Sequence, residues 1–265
     1  MPPFLWGCVC LIDPDTRRQR IVDIATDAGW QYQVVKGARF DLATFTPKAM
    51  GRQNHLVVYI EGDGKAWVTT HQPSLNPTPE QALALRLALK HPGNNAVYLA
   101  RPCQYVVDQQ RHYCDESVWT QSRFSDDVIQ ASSDAISVLK KKFNARSLTL
   151  IGYSGGGAVA ALVAARRNDV ELLVTVAGVL DHRLWTAQHN ISPLADSLNP
   201  ADYRQQLMKV PQYHLSGGSD DVVPSVQAKD FVNGFQSTGS IIFKIIEHNN
   251  HVCCWVEQWP QLLLK

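Results

Sequence analysis

Apolar residues recur in two rhythms along this chain, and the rhythms alternate. Short unbroken runs come first: HLVVYI at 55–60, AVYLA at 96–100, SLTLIGY at 147–153 and VELLVTVAG at 170–178. Runs of this length, rich in β-branched and aromatic residues, predict strands buried on both faces. VPQYHLSG at 210–217 and SIIFKII at 240–246 extend the series, and residues 31–35 and 40–45 read as shorter strands. Between these runs the apolar positions take a helical period. Residues 15–30 predict an amphipathic helix ending near Gly29, and residues 80–90 predict another, stopped by Pro92 and Gly93. Residues 125–142 place Val128, Ile129, Ala135, Ile136, Val138 and Leu139 at helical spacing, with Ser125 as the cap. The small-residue stretch GGGAVAALVAARR, residues 224–235 and the tail from Val252 complete the helices. Residues 181–206 mix polarities and carry several turn signals, so they read as a short cap inserted over the sheet. Strand and helix in alternation predict an α/β fold with a mostly parallel sheet covered by helices on both faces. In such a sheet functional groups gather in the loops at the C-terminal ends of the strands. No repeat or linker divides the chain, so residues 1–265 are read as one domain.

Composition agrees with a globular protein and narrows the partners. The chain is 45% hydrophobic and 18% charged, with 25 Lys plus Arg against 24 Asp plus Glu. A formal charge of +1 gives no electrostatic footprint for nucleic acid. No HxH or HxxxH pair lies on a helix and no CxxC occurs, so neither a catalytic metal nor a structural zinc is expected.

The strongest chemical signal is Gly152-Tyr153-Ser154-Gly155-Gly156, a G-x-S-x-G placed where a predicted strand turns into a predicted helix. That context is the one the motif needs. A serine on a sharp turn projects its hydroxyl outward, and side chains two residues to either side would collide with the turn. The helix that follows aims its positive end at the hydroxyl. The Gly155 N–H then stands ready for an oxyanion. The run from Gly155 to Ala160 also reads as G-x-G-x-x-A, a dinucleotide fingerprint. That alternative requires an acidic residue at the end of the next strand, where Val176-Ala177-Gly178 has none, so no cofactor is expected.

With GYSGGG, GGSDDVVP, the late HNNHVCCW and this order of elements, the chain from about residue 50 onward resembles the α/β-hydrolase superfamily. The resemblance implies an order of nucleophile, acid and histidine. It implies Asp220 as the acid, with Asp221 as the alternative, and His251 as the base, with His248 as the alternative. It also places an oxyanion donor after the 55–60 strand, where the usual His-Gly is replaced by Glu61-Gly62. The Asp63 N–H is the preferred donor there and Gly64 the next. Backbone groups form such a hole, so the substitution leaves it intact, and Glu61 is read either as a loop anchor or as a plain loop carboxylate. The implied activity is hydrolysis of a carboxylic ester or thioester through an acyl-enzyme on Ser154. A serine peptidase and a non-catalytic binding module are the alternatives.

Trp67, Trp119, Trp185, Trp255 and Tyr153 lie near loops that border such a site, and aromatics there suit an apolar acyl group on a small-molecule substrate. Leu184, Trp185, Ile191 and Leu194 of the 181–206 segment either face the pocket or seal the cap to the core. Cys103 and Cys114 flank a polar loop and are expected to pair, which implies an oxidising compartment; adjacent Cys253 and Cys254 are not expected to pair. Leu5-Trp6-Gly7-Cys8 resembles the end of a bacterial lipoprotein signal, after an apolar stretch too short for a full one. SVWT at 117–120 and Arg123-Phe124-Ser125 resemble a segment of bacterial hydrolases of the superfamily. These features imply an envelope or periplasmic enzyme attached to the membrane at its N-terminus, a cytoplasmic protein being the alternative.

Overall fold

The computed structural model describes residues 13–237 and 239–263. Cys8 and the lipoprotein-like segment lie outside them. Asp13 caps the first helix, its carboxylate accepting from the N–H groups of Asp15 and Thr16 at 3.0 Å, and Pro14 opens it. This α1 spans Pro14–Asp27, and the strands β1 (Trp30–Val35) and β2 (Leu42–Pro47) follow as an antiparallel pair. Next come β3 (His55–Ile60), α2 (Leu83–Leu89), β4 (Ala96–Leu99), α3 (Asp126–Lys142), β5 (Ser147–Tyr153), α4 (Gly155–Arg166) and β6 (Val170–Val176). The chain closes with α5 (His182–Gln188), α6 (Arg204–Leu207), β7 (Gln212–Gly217), α7 (Ser225–Asn233), β8 (Ile241–Ile246) and α8 (Trp255–Leu263).

The eight strands form one sheet in the order β1-β2-β4-β3-β5-β6-β7-β8. Only the β1–β2 and β2–β4 ladders are antiparallel; from β4 to β8 every neighbour is parallel. The expected fold class is therefore the observed one. Alternation along a central strand splits the core in two. Leu56, Val58 and Ile60 of β3 belong to one core, shared with α3, α4 and α7, whereas Val57 and Tyr59 belong to the other, shared with α1, α2 and α8. Helix α4 is buried from Gly155 to Ala165, which its small apolar residues permit. Among the described residues no helix is long and apolar enough to cross a membrane.

Three expectations need correction. Helix α2 starts at Leu83 rather than near residue 80, because Glu80 pairs with Lys65 and Ala82 takes a left-handed conformation at φ 44°. Of the 181–206 segment, Leu194 is buried in the core and Trp185 is half-buried, whereas Leu184 and Ile191 are exposed and neither face the pocket nor seal the segment to the core. Cys103 does pair with Cys114, at a Cα separation of 5.7 Å. Cys253 and Cys254 are paired as well, against expectation; the peptide between them is cis, which brings their Cα atoms to 3.1 Å.

Candidate active site

Parallel strands present their C-terminal ends along one edge of the sheet, and the chemistry collects there. Ser154 follows β5 directly, with φ 51° and ψ −123°, a region costly for a residue with a side chain. The turn persists because its surroundings fix it. The Ser154 N–H donates to Val176 O at 3.0 Å, and Ser154 O accepts from Gly157 and Val179 at 2.9 and 3.1 Å. A Cβ on Gly152 would overlap Gly156 O, and one on Gly156 would overlap the carbonyls of Ile60 and Glu61. The glycines thus let the start of α4 press against the end of β3.

Asp220 lies in the loop after β7, and its carboxylate is fully buried. Oδ1 accepts from the Val222 and Val223 N–H groups at 2.9 and 2.8 Å, which leaves Oδ2 for the imidazole. His251, from the loop after β8, places Nδ1 2.9 Å from Asp220 Oδ2 and Nε2 3.0 Å from Ser154 Oγ. A buried carboxylate accepts and cannot donate, so Nδ1 carries the proton and Nε2 accepts from the serine. The alternatives Asp221 and His248 are both exposed and take no part in this relay. The imidazole loop is itself held. His251 O accepts from Tyr153 Oη at 3.1 Å and from Trp255 Nε1 at 3.2 Å. The Tyr153 ring lies 5.3 Å from the imidazole, centroid to centroid.

A cavity of about 580 Å³ opens over Ser154 and His251. Tyr153, Trp67 and Trp185 line it, as expected, together with Leu83, Val179, Val222 and Val223. Trp185 is fixed there by its Nε1 donating to Val222 O at 2.8 Å. Two of the aromatic expectations fail. Trp119 is 5% exposed and donates to Ser74 O at 3.0 Å, packed in the core behind the site. Trp255 is fully buried and reaches the site only through its hydrogen bonds to the imidazole loop. Large aromatics near strand ends serve the core as readily as a pocket.

The loop after β3 carries Glu61 to Lys65. Glu61 is an anchor rather than a loose loop carboxylate: Oε1 accepts from the Gly62 N–H at 3.0 Å and from the Ala84 N–H at 3.3 Å, in the first turn of α2. Burial pushes the Glu61 carboxyl above the ordinary range, against the lowering effect of those N–H donors. Asp63 and Gly64 line the cavity. Gly155 is buried beside Ser154, at the first position of α4, where no intrahelical acceptor exists for its N–H. Instead of standing open, its Cα faces the Asp63 side chain, and a Cβ there would overlap Asp63 Oδ1.

Sequence reasoning missed the two partners of that side chain. Arg101 Nη1 donates to Asp63 Oδ1 at 3.1 Å and Arg123 Nη1 donates to Oδ2 at 2.7 Å. One signal could have found Arg101: it lies two residues past the buried β4, at the strand end where site residues gather. Among the described residues no group of three or more His, Cys, Asp or Glu is placed to hold a metal.

The comparisons with known proteins fit this geometry. The model of the family described as serine hydrolase (FSH1) matches residues 76–252, a span that contains Ser154, Asp220 and His251. No curated protein sequence matches the chain. Among solved structures, the chain is similar to the esterase Pf2001 of Pyrococcus furiosus, with a TM-score of 0.62 at 14% identity over 90% of this chain and 94% of that one. It is similar to an alpha-beta serine hydrolase homologue from Coxiella burnetii, with a TM-score of 0.58 at 18% identity over 88% and 95%. It also resembles an acylaminoacyl peptidase of Pyrococcus horikoshii, with a TM-score of 0.62 at 12% identity, over 89% of this chain but 39% of that one. At such identities the likeness is one of fold, the α/β-hydrolase fold. With the family match covering well over half its length, the chain belongs to the serine hydrolase (FSH1) family.

Proposed function

We propose that this serine hydrolase cleaves carboxylic esters or thioesters of small molecules through an acyl-enzyme on Ser154. The observation that carries the reading is the unbroken relay from Ser154 Oγ to His251 Nε2 at 3.0 Å and from His251 Nδ1 to Asp220 at 2.9 Å. In the reading, His251 takes the serine proton as Oγ attacks the acyl carbon. Asp220 keeps the imidazole in the tautomer that accepts and stabilises it once charged. N–H groups of Gly155 and of Asp63 or Gly64 receive the oxyanion. His251 returns the proton to the leaving oxygen or sulfur, and water, deprotonated by the same imidazole, releases the acid. The wall of Trp67, Leu83, Val179, Trp185, Val222 and Val223 favours an apolar acyl or alkyl group. The Cys103–Cys114 pair favours work in an oxidising compartment.

The test is a series of chromogenic esters of rising chain length, with peptide anilides run beside it and a Ser154→Ala control. Ester turnover by the native protein, lost in Ser154→Ala, supports the reading. Cleavage of anilides without turnover of any ester would transfer it to a peptidase.

A further inference from the structure

Hydrogen bonding in the loop after β3 can be accounted for group by group. The Glu61 N–H donates to Leu99 O at 3.1 Å, Gly62 N–H to Glu61 Oε1 at 3.0 Å, and Lys65 N–H to Pro77 O at 3.0 Å. Gly62 O accepts from Gln104 Nε2 at 2.9 Å. Within this loop, and among the described residues, the N–H groups of Asp63 and Gly64 are left without an acceptor. Both residues line the cavity over Ser154. Uncommitted N–H groups in that place are what a developing oxyanion requires.

The loop that carries them is anchored through the Asp63 side chain. Its two oxygens are held by two guanidiniums that reach it from separate segments, Arg101 after β4 and Arg123 ahead of α3. Each guanidinium is pinned in turn. Arg101 Nη2 donates to the Arg123 carbonyl, and Arg123 Nε donates to Thr120 O at 2.6 Å. Both arginine side chains are 5% exposed. Burial works against ionisation of Asp63, yet the charges of Arg123 and then Arg101 outweigh it and hold the carboxyl below its ordinary range. The carboxylate therefore stays charged, packed against Gly155. A single carboxylate beside the nascent oxyanion would repel it. Within the cluster of Asp63, Arg101 and Arg123, two guanidiniums against one carboxylate reverse the sign and leave one net positive charge beside Gly155. Both guanidiniums are buried, and there their charge counts for more than at the surface.

The geometry points to Arg101 and Arg123 as positioning residues of the hydrolytic reaction: a two-guanidinium clamp on Asp63 that aims the oxyanion loop and turns its local charge positive. The clamp rests on the acyl-hydrolase reading and deepens it. It acts in the transition state, because the ground-state carbonyl carries little charge for it to meet.

The experiment measures kcat and KM for an ester that the native protein turns over, in Arg123→Ala and Arg123→Lys. It adds affinity for an alkyl trifluoromethyl ketone, whose adduct carries the oxyanion, and fluorophosphonate titration to count competent sites. Arg123→Ala is expected to lose about 100-fold in kcat per competent site, about 2.7 kcal/mol, with KM within about threefold of native. Ketone affinity should fall by a similar factor. Guanidinium ion, too dilute to unfold the protein, should recover part of kcat in Arg123→Ala and none in Ser154→Ala. Arg123→Lys, which keeps the charge and loses the fork, should fall between, and it carries the test if the alanine variant does not fold. A loss confined to KM would make Arg123 a substrate contact and overturn the clamp. Native kcat per site, or a loss equal to the drop in titratable sites, would overturn it too. If the native protein turns over no ester, the acyl-hydrolase reading fails and the clamp falls with it; native turnover with an unaffected Arg123→Ala removes the clamp alone.

Discussion

Replacing Asp220 by Asn should silence the enzyme while leaving the fold intact, and the hydrogen bonds around the side chain say why. Asp220 Oδ1 faces two backbone donors, the N–H groups of Val222 and Val223, at 2.9 and 2.8 Å. An NH₂ group cannot sit opposite two N–H donors, so the asparagine must put its oxygen there. Its NH₂ then faces His251 Nδ1, at the position Oδ2 holds 2.9 Å away. The side chain is fully buried, so water does not intervene. His251 is forced into the other tautomer, with the proton on Nε2, and the atom 3.0 Å from Ser154 Oγ donates instead of accepting. The serine loses its base, and the charged imidazole loses its counter-charge. A change of this type costs about 10⁴ in kcat, or about 5 kcal/mol of transition-state stabilisation. The backbone hydrogen bonds survive, so thermal stability should shift by about 1 kcal/mol or less. Steady-state ester hydrolysis with matched thermal melts makes the measurement. An Asp220→Asn variant that keeps more than about a tenth of native kcat would refute the assignment of this carboxylate to His251.

Three further outcomes follow from buried groups and the disulfide. His214 is fully buried between Thr175 and Gln212, and burial pushes its pKa down to about 3. The unfolded chain binds a proton near pH 6.5 while the native state refuses it, so stability is full above that pH and falls below it. From pH 6 to pH 4 the group alone should remove about 2.5 kcal/mol, which denaturant titrations of native protein and His214→Asn would show as converging stabilities; parallel pH curves would contradict it. Glu61 works in the opposite sense. Its raised pKa makes native stability greatest below the ordinary Glu range and lower as pH rises through the shifted value, whereas Glu61→Gln keeps the acceptor for Gly62 and loses this dependence. The Gln variant should therefore gain on the native protein between pH 4 and pH 8 in denaturant titrations, and no relative gain would count against the burial argument. Replacing both Cys103 and Cys114 by Ala should cost about 3 kcal/mol of stability by loss of loop closure, read from urea midpoints, with kcat unchanged.

Much of this protein is written locally. SLTLIGY followed by SGGGAV marks strand, turn and helix within a dozen residues, so β5, Ser154 and α4 follow from spacing alone. The bounds of α3 and its Ser125 cap are legible for the same reason. Asp220 and His251 come from motif order, which their hydrogen bonds to each other and to Ser154 match. What the sequence hides are contacts between segments with no shared spacing. Asp63 is 38 residues from Arg101 and 60 from Arg123, and nothing in any of the three segments announces the others. Glu61 reads as a departure from the usual His-Gly until the start of α2 is seen resting on it. Trp119 and Trp67 look alike in sequence, yet one is core and one lines the cavity, because burial is decided by the packing of distant elements.

The most direct test of the account is the site of covalent capture. Peptide mapping after a fluorophosphonate reaction should find one adduct per molecule, on Ser154, formed at least about 10³-fold more slowly in His251→Ala. An adduct on another residue, or labelling of Ser154 at the native rate without His251, would contradict it.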